Sequence, residues 1–166
     1  MTSPGKLFFF CGKMGAGKST MSKKVADQHH AVLISEDDWL SAHYPTQIKT
    51  LDDYMRLSST IKPFIQSHVE QILKSGTDVV MDFPANTAAQ RAWFASIVSD
   101  AECDHELIYL DLTDAQCLSQ IGQRRLEQPE RAAFDNETTF YQVTQYFEAP
   151  QDDEAFHIVR IEPRIN

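Results

Sequence analysis

Short apolar runs alternate along the chain with stretches whose apolar positions recur at three- and four-residue intervals. The runs are Leu7 to Cys11, Ala31 to Ser35, Val79 to Phe83, Glu106 to Leu112 and Phe156 to Ile161. Short, near-continuous apolar runs of this kind read as strands buried on both faces. Between them the helical spacing is plain. One helix is predicted from about Lys18 to Gln28, with Met21 and Val25 on one face. A longer one begins near Leu51, and Tyr54, Met55, Ile61, Phe64, Ile65, Val69, Ile72 and Leu73 recur along it. Pro63 is expected to kink or restart that helix and Gly76 to stop it. Thr87-x-x-Gln90 and Thr113-x-x-Gln116 have the form of capping boxes. They open helices that run to about Ala101 and to the pair Arg124-Arg125, the second carrying Cys117, Leu118 and Ile121 inward. After a break at Pro129, a last helix is predicted from about Asn136 to Glu148, with Phe140, Val143 and Phe147 inward and Pro150 ending it. Glu36-Asp37-Asp38-Trp39 reads as an acidic turn, followed by a polar stretch through Tyr44 and Pro45.

Five short strands separated by helices imply an α/β fold, a three-layer sandwich in which a parallel sheet is covered on both faces. No low-complexity tract, repeat or linker divides the chain, so residues 1–166 are expected to form one domain. Ligands of such sheets bind beyond the carboxyl ends of the strands. The chemistry is therefore expected in Gly12 to Ser19, Glu36 to Trp39, Asp82 to Asn86 and Asp111 to Asp114.

The first of these stretches carries the strongest signal. Gly12-Lys13-Met14-Gly15-Ala16-Gly17-Lys18-Ser19 has the form G-x-x-x-x-G-K-[ST], the P-loop, between a predicted strand and a predicted helix. Glycines there let successive amides turn inward around a phosphate chain, and the helix that follows points its positive end at the same anion. Gly12 through Thr20 are thus the expected nucleotide-binding residues. Lys18 is expected to reach the β- and γ-phosphates, and the Ser19 hydroxyl to ligate Mg²⁺.

Composition narrows the partners. Of 166 residues, 42% are hydrophobic and 23% charged, as in an ordinary soluble globular protein. The formal net charge of −9 counts against a long nucleic-acid tract as partner, while a P-loop still binds small phosphorylated ligands through backbone dipoles and one lysine. Cys11, Cys103 and Cys117 form no C-x-x-C pair and suit a reducing interior. The histidines show no ligand spacing for structural zinc. With no apolar run long enough for a signal or a membrane span, a cytoplasmic protein, monomeric or weakly dimeric, is expected.

The P-loop, the Ser35-Glu36-Asp37-Asp38 stretch, Asp82-Phe83-Pro84-Ala85-Asn86 and the pair Arg124-Arg125 together resemble P-loop kinases of the polynucleotide kinase and zeta toxin group. Small bacterial ATP-binding proteins and predicted kinases of that group are the narrower likeness. The resemblance implies strand order 2-3-1-4-5, ATP as donor, and an arginine-bearing lid near residues 124–135. It makes Asp37 the carboxylate that accepts the proton of the substrate hydroxyl, with Asp38 as the alternative base, and Asp82 the Walker B carboxylate that holds Mg²⁺ through its water shell. Leu40 stands where members of the group often carry an arginine, and Ala85 where adenylate kinases carry the arginine that grips the acceptor phosphate. That counts against a nucleoside monophosphate acceptor, unless Arg91 compensates. Asn86 reads equally as a helix cap or a substrate contact, and Arg91 as a solvated helix residue or a ligand. Arg124, Arg125 and Arg131 flank that lid as planar cations that stack on adenine or fork onto phosphate oxygens; Arg125 is counted as catalytic, Arg124 with the nucleotide and Arg131 with the substrate, and which of them meets adenine and which meets phosphate stays open.

An ATP- and Mg²⁺-dependent phosphotransferase acting on a small-molecule hydroxyl is the function these features imply. A nucleotide switch that hydrolyses ATP with water as acceptor is the alternative, and the N-K-x-D guanine motif is absent from the sequence.

Overall fold

The computed structural model describes residues 2–162. Strands β1 (Leu7–Cys11), β2 (Val32–Ser35), β3 (Val79–Pro84), β4 (His105–Leu110) and β5 (Ile158–Ile161) form one sheet in the order β2-β3-β1-β4-β5. Every pairing is parallel. The helices are α1 (Lys18–His29), α2 (Glu36–His43), α3 (Leu51–Lys74), α4 (Ala88–Ala101), α5 (Asp114–Glu127) and α6 (Glu137–Thr144), with a 3-10 turn at Pro129–Ala133 before α6. The three-layer α/β sandwich, and the strand order that the resemblance implies, are those observed.

All of β1 is buried, because alternate side chains feed two cores. Leu7, Phe9 and Cys11 join Met81, Phe83, Ile65, Val69, Leu73, Phe94 and Ile97 on one face. Phe8 and Phe10 join Val80, Val25, Cys117, Ile121 and Phe140 on the other. The central strand is thereby packed on both faces, and the loop Gly12 to Gly17 leaves its carboxyl end.

Several elements depart from the pattern-based reading. The acidic turn is the helix α2, started by Ser35, whose hydroxyl accepts the Asp38 amide at 3.4 Å. Three acidic residues in its first turn suit the positive end of the helix dipole, which is why so polar a sequence is helical. Pro63 lies within the continuous helix α3 rather than restarting it. Proline costs a helix interior about 3 kcal/mol. Burying the stripe Leu57, Ile61, Ile65, Val69 and Leu73 gains roughly 1.5–3 kcal/mol per side chain, so packing wins. Thr87 caps α4 by accepting the Gln90 amide, but Gln90 returns its bond to the Asn86 amide at 2.8 Å, one residue upstream of a reciprocal box. Thr113 and Gln116 make the full box. Helix α6 stops at Thr144.

Candidate active site

The P-loop leaves β1 and enters α1. Gly15 and Gly17 adopt φ of 81° and 99°, the left-handed region that favours glycine. A Cβ on Gly15 would also lie 2.5 Å from Ile121 Cγ1 and 2.8 Å from the Cys117 carbonyl oxygen, so the loop is packed against α5 without room for a side chain. Ala16 is buried and Met14 packs on the same core. The Gly12 amide donates to Asn86 Oδ1 at 2.9 Å. Lys18 curls over its own loop, with Nζ donating to the Gly12 carbonyl at 2.5 Å. Burial lowers the pKa of this ammonium, against the pull of Asp82. Lys13 pairs with Asp114 at 2.8 Å and sits 5.7 Å over the Phe147 ring. Asp111, in the same stretch after β4, turns away to Arg160, whose Nε lies 2.8 Å off. Thr20 is exposed in the first turn of α1.

Parallel pairing sets Ser35 beside Asp82, so the first turn of α2 rises next to the end of β3. From α1, the Ser19 hydroxyl donates to Asp82 Oδ2 at 2.9 Å. Burial pushes the Asp82 carboxyl up, and the negative charges of Asp37 and Asp38 add to this against the Ser19 hydrogen bond and Lys18. Those two aspartates are exposed, and among the described residues their carboxylates have no ion pair or side-chain hydrogen bond. A hydroxyl and a carboxylate are hard oxygen donors of the kind Mg²⁺ prefers when phosphate oxygens and water complete its shell. Among the described residues, no group of three His, Cys, Asp or Glu side chains is placed to hold a metal ion.

Glu36 was not singled out by its sequence context, yet it is only 3% exposed. Its carboxylate accepts from the Tyr54 hydroxyl and, at 2.7 Å, from the Ser58 hydroxyl, fastening the first turn of α2 to α3. Burial holds the carboxyl above its ordinary value of 4.5, although the two hydroxyl donors and Lys62 pull it down. The folded chain therefore binds this proton more tightly than the unfolded chain. The associated stability is full below the unfolded value and is lost as pH rises through the folded one. Glu36→Gln is expected to remove this contribution. Urea unfolding from about pH 4.5 upward should show a shallower decline in the variant than in the parent.

The expected substrate residues are placed differently from one another. Asn86 faces the P-loop through Gly12, and its carbonyl accepts the Glu148 amide at 2.8 Å, so it joins the loop after β3 to the segment after α6. Arg91 is neither solvated nor turned to a ligand. It is 1% exposed, with Nε on Glu154 Oε1 at 2.7 Å and Nη1 on the Ala85 carbonyl at 3.0 Å. The expectation of a substrate contact there is corrected, because the guanidinium is spent inside the protein. Arg124, Arg125 and Arg131 gather around Asp135, which is buried and which the sequence reading passed over.

A parallel sheet in this order, with a phosphate-binding loop after its first strand and the Ser19–Asp82 pair at its mouth, defines a P-loop kinase-like protein. The chain belongs to the AAA domain family, whose sequence model matches residues 7–150. No curated protein matches the sequence. Among solved structures, it is similar to an APS kinase from Mycobacterium tuberculosis in complex with AMPPNP and APS, at 16% identity and a TM-score of 0.67 over 99% of this chain and 91% of that one. Kti12 from Chaetomium thermophilum in complex with ADP-AlF3 is similar at 14% identity and a TM-score of 0.68, over 94% of this chain and 88% of that one. A gluconokinase from Sinorhizobium meliloti is similar at 15% identity and a TM-score of 0.58, over 98% and 84%. At such identities the likeness is one of fold. Among the described residues, no helix is long and apolar enough to cross a membrane.

Proposed function

We propose that this protein is a kinase that moves the γ-phosphate of ATP, with Mg²⁺, onto a hydroxyl of a small molecule. The observation that carries the reading is the meeting of Ser19 and Asp82 at 2.9 Å beside the P-loop, within the electrostatic reach of exposed Asp37. Amides from Gly12 to Thr20 and the start of α1 hold the phosphate chain. Lys18 exchanges the Gly12 carbonyl for the β- and γ-oxygens. Ser19 would hold Mg²⁺ directly and Asp82 through its water shell, and the chemistry the ion supplies is neutralisation of phosphate charge. Asp37 accepts the proton as the alcohol oxygen bonds to the γ-phosphorus and the bridging P–O bond to ADP breaks.

The structural neighbours named for APS kinase and gluconokinase support a small-molecule acceptor. Arg91 is engaged with Glu154, which argues against an acceptor that carries a phosphate of its own. The net charge of −9 argues against nucleic acid, and three free cysteines favour the cytoplasm. A monomer or weak dimer fits this reading.

The test is γ-labelled ATP, with and without Mg²⁺, against a panel of hydroxyl compounds. Transfer to an alcohol is expected, and hydrolysis without any organic acceptor would replace this reading with that of an NTPase. Asp82→Asn should raise the Mg²⁺ concentration at half-maximal rate about ten- to a hundredfold. An unchanged Mg²⁺ dependence would remove Asp82 from the metal site.

A further inference from the structure

A cleft of about 400 Å³ separates the start of α3 from the end of α6, lined by Thr50, Leu51, Asp52, Gln142, Gln145 and Tyr146. Its volume lies in the range of small-molecule sites. Its two walls are tied to different parts of the candidate active site. On α3, Tyr54 stands three residues beyond Leu51, on the same side of the helix, and donates to Glu36, the residue before Asp37. On the other wall, Phe140 packs into one core and Phe147 against the other, so α6 and the turn after it cross over the carboxyl edge of the sheet. Lys13 of the P-loop sits 5.7 Å over the Phe147 ring, and the Glu148 amide donates to the Asn86 carbonyl. The cleft therefore lies between the helix fastened to the Asp37 turn and the segment fastened to the P-loop.

Apart from one carboxylate, the lining carries no charge, and it is mostly polar. The side chains of Asp52, Gln142 and Tyr146 have no hydrogen bond or ion pair among the described residues. Gln145 spends its Nε2 on the Gln142 carbonyl at 2.9 Å and keeps its Oε1. The Thr50 hydroxyl accepts the Asp53 amide at 3.1 Å and keeps its hydrogen. An ionised carboxylate only accepts, and its two oxygens can take two neighbouring hydroxyls at once. A side-chain amide both donates and accepts, and a tyrosine ring covers C–H surface while its hydroxyl stays at a polar edge. No lining residue is a cation, and the first cation of α3, Arg56, turns to Asp53 at 3.8 Å. A carboxylate or phosphate on the acceptor would meet Asp52 with nothing to offset it, a like-charge contact that costs affinity. A molecule with several hydroxyls and no charge can pair with every one of these groups.

We propose that this cleft is the acceptor site and that the acceptor is an uncharged polyhydroxyl compound, a sugar or polyol, held by Asp52 at two neighbouring hydroxyls, by Gln142 at a third and by the Tyr146 ring along its C–H face. The proposal rests on the kinase reading above and names the acceptor class for it. One hydroxyl oxygen of the polyol bonds to the γ-phosphorus, its proton passes to Asp37, and ADP leaves.

The test offers the full chain γ-labelled ATP and Mg²⁺ with acceptors matched in carbon skeleton and differing in charge: hexoses, pentoses, inositols and alditols, each beside its carboxylate and phosphate counterparts. Transfer is expected to an uncharged member, with kcat/KM about tenfold or more above its charged counterparts. Asp52→Asn should raise the KM for that acceptor about ten- to a hundredfold, and Gln142→Ala and Tyr146→Ala about three- to tenfold each, with the KM for ATP unchanged. Asp52→Lys should turn the preference toward the carboxylate member of the same set. A wild-type preference for a charged member, or transfer only to nucleosides or monohydric alcohols, would overturn the acceptor class while leaving the kinase reading standing. An acceptor KM unmoved in all three of the first variants would overturn the site, as would a KM for ATP that rises alongside it. Failure to transfer to any hydroxyl compound, with or without hydrolysis, would sink the kinase reading and this one with it.

Discussion

Asparagine in place of Asp37 is expected to leave MgATP affinity nearly unchanged and to lower phosphoryl transfer roughly a hundred- to ten-thousandfold. Alanine in place of Lys18 is expected to remove tight MgATP binding itself. The separation follows from where the two side chains stand. Lys18 leans on the carbonyl of the first P-loop glycine, at the centre of the loop that must hold the phosphate chain. Asp37 is exposed on the first turn of α2 and its carboxylate holds no other group among the described residues, so its loss strands no buried partner there. Its charge acts on Asp82, and removing it should if anything ease ionisation of that carboxylate. Calorimetry with MgATP and single-turnover transfer distinguish the roles. Equal loss of affinity in both variants would assign Asp37 to the nucleotide or its metal instead of to the acceptor hydroxyl. Asp38→Asn with the larger loss of transfer would move the base by one residue.

What the sequence makes legible here is what neighbouring residues decide among themselves. The strand Leu7 to Cys11, the glycines with positive φ and the helix from Lys18 form one local unit, read from its spacing alone. The Thr113–Gln116 box is equally local. Helix α2 was within reach as well, since Ser35 lies three residues before Asp38 and Leu40 supplies a buried anchor, but the run of acids obscured it. The pairs that hold the site in shape lie far apart along the chain. Glu36 meets Ser58 across 22 residues, Asn86 meets Gly12 across 74, and Arg91 meets Glu154 across 63. Nothing in a local pattern distinguishes an arginine bound for a buried carboxylate from one bound for a ligand. Arg124 and Arg131 were marked by their charge, but Asp135, which organises both, carries no motif of its own.

Arg91→Ala is expected to destabilise the protein by about 3–5 kcal/mol, the usual cost of breaking a buried ion pair from one side. For a chain of this size that corresponds to a fall in Tm of roughly 10 °C. Glu154 retains 18% exposure of its side chain, which places the expectation toward the lower end of the range. Its carboxyl is raised by burial and brought below its ordinary value by the Arg91 hydrogen bonds, so the variant strands a charge that the native state has adapted to keep. The guanidinium also bonds the Ala85 carbonyl and approaches the Ala149 carbonyl, so the loop after β3 and the segment after α6 lose a common tie. Asn86, the next residue in that loop, supplies the oxygen that receives the Gly12 amide. Loosening Arg91 should therefore weaken MgATP binding through the P-loop as well as stability. Arg91→Met combined with Glu154→Leu removes the charge at both ends while filling similar volume, and should recover most of the lost stability. Urea unfolding of the parent, the single variant and the pair decides the point. A loss below about 1 kcal/mol in Arg91→Ala would mean that the pair contributes no more than an exposed one.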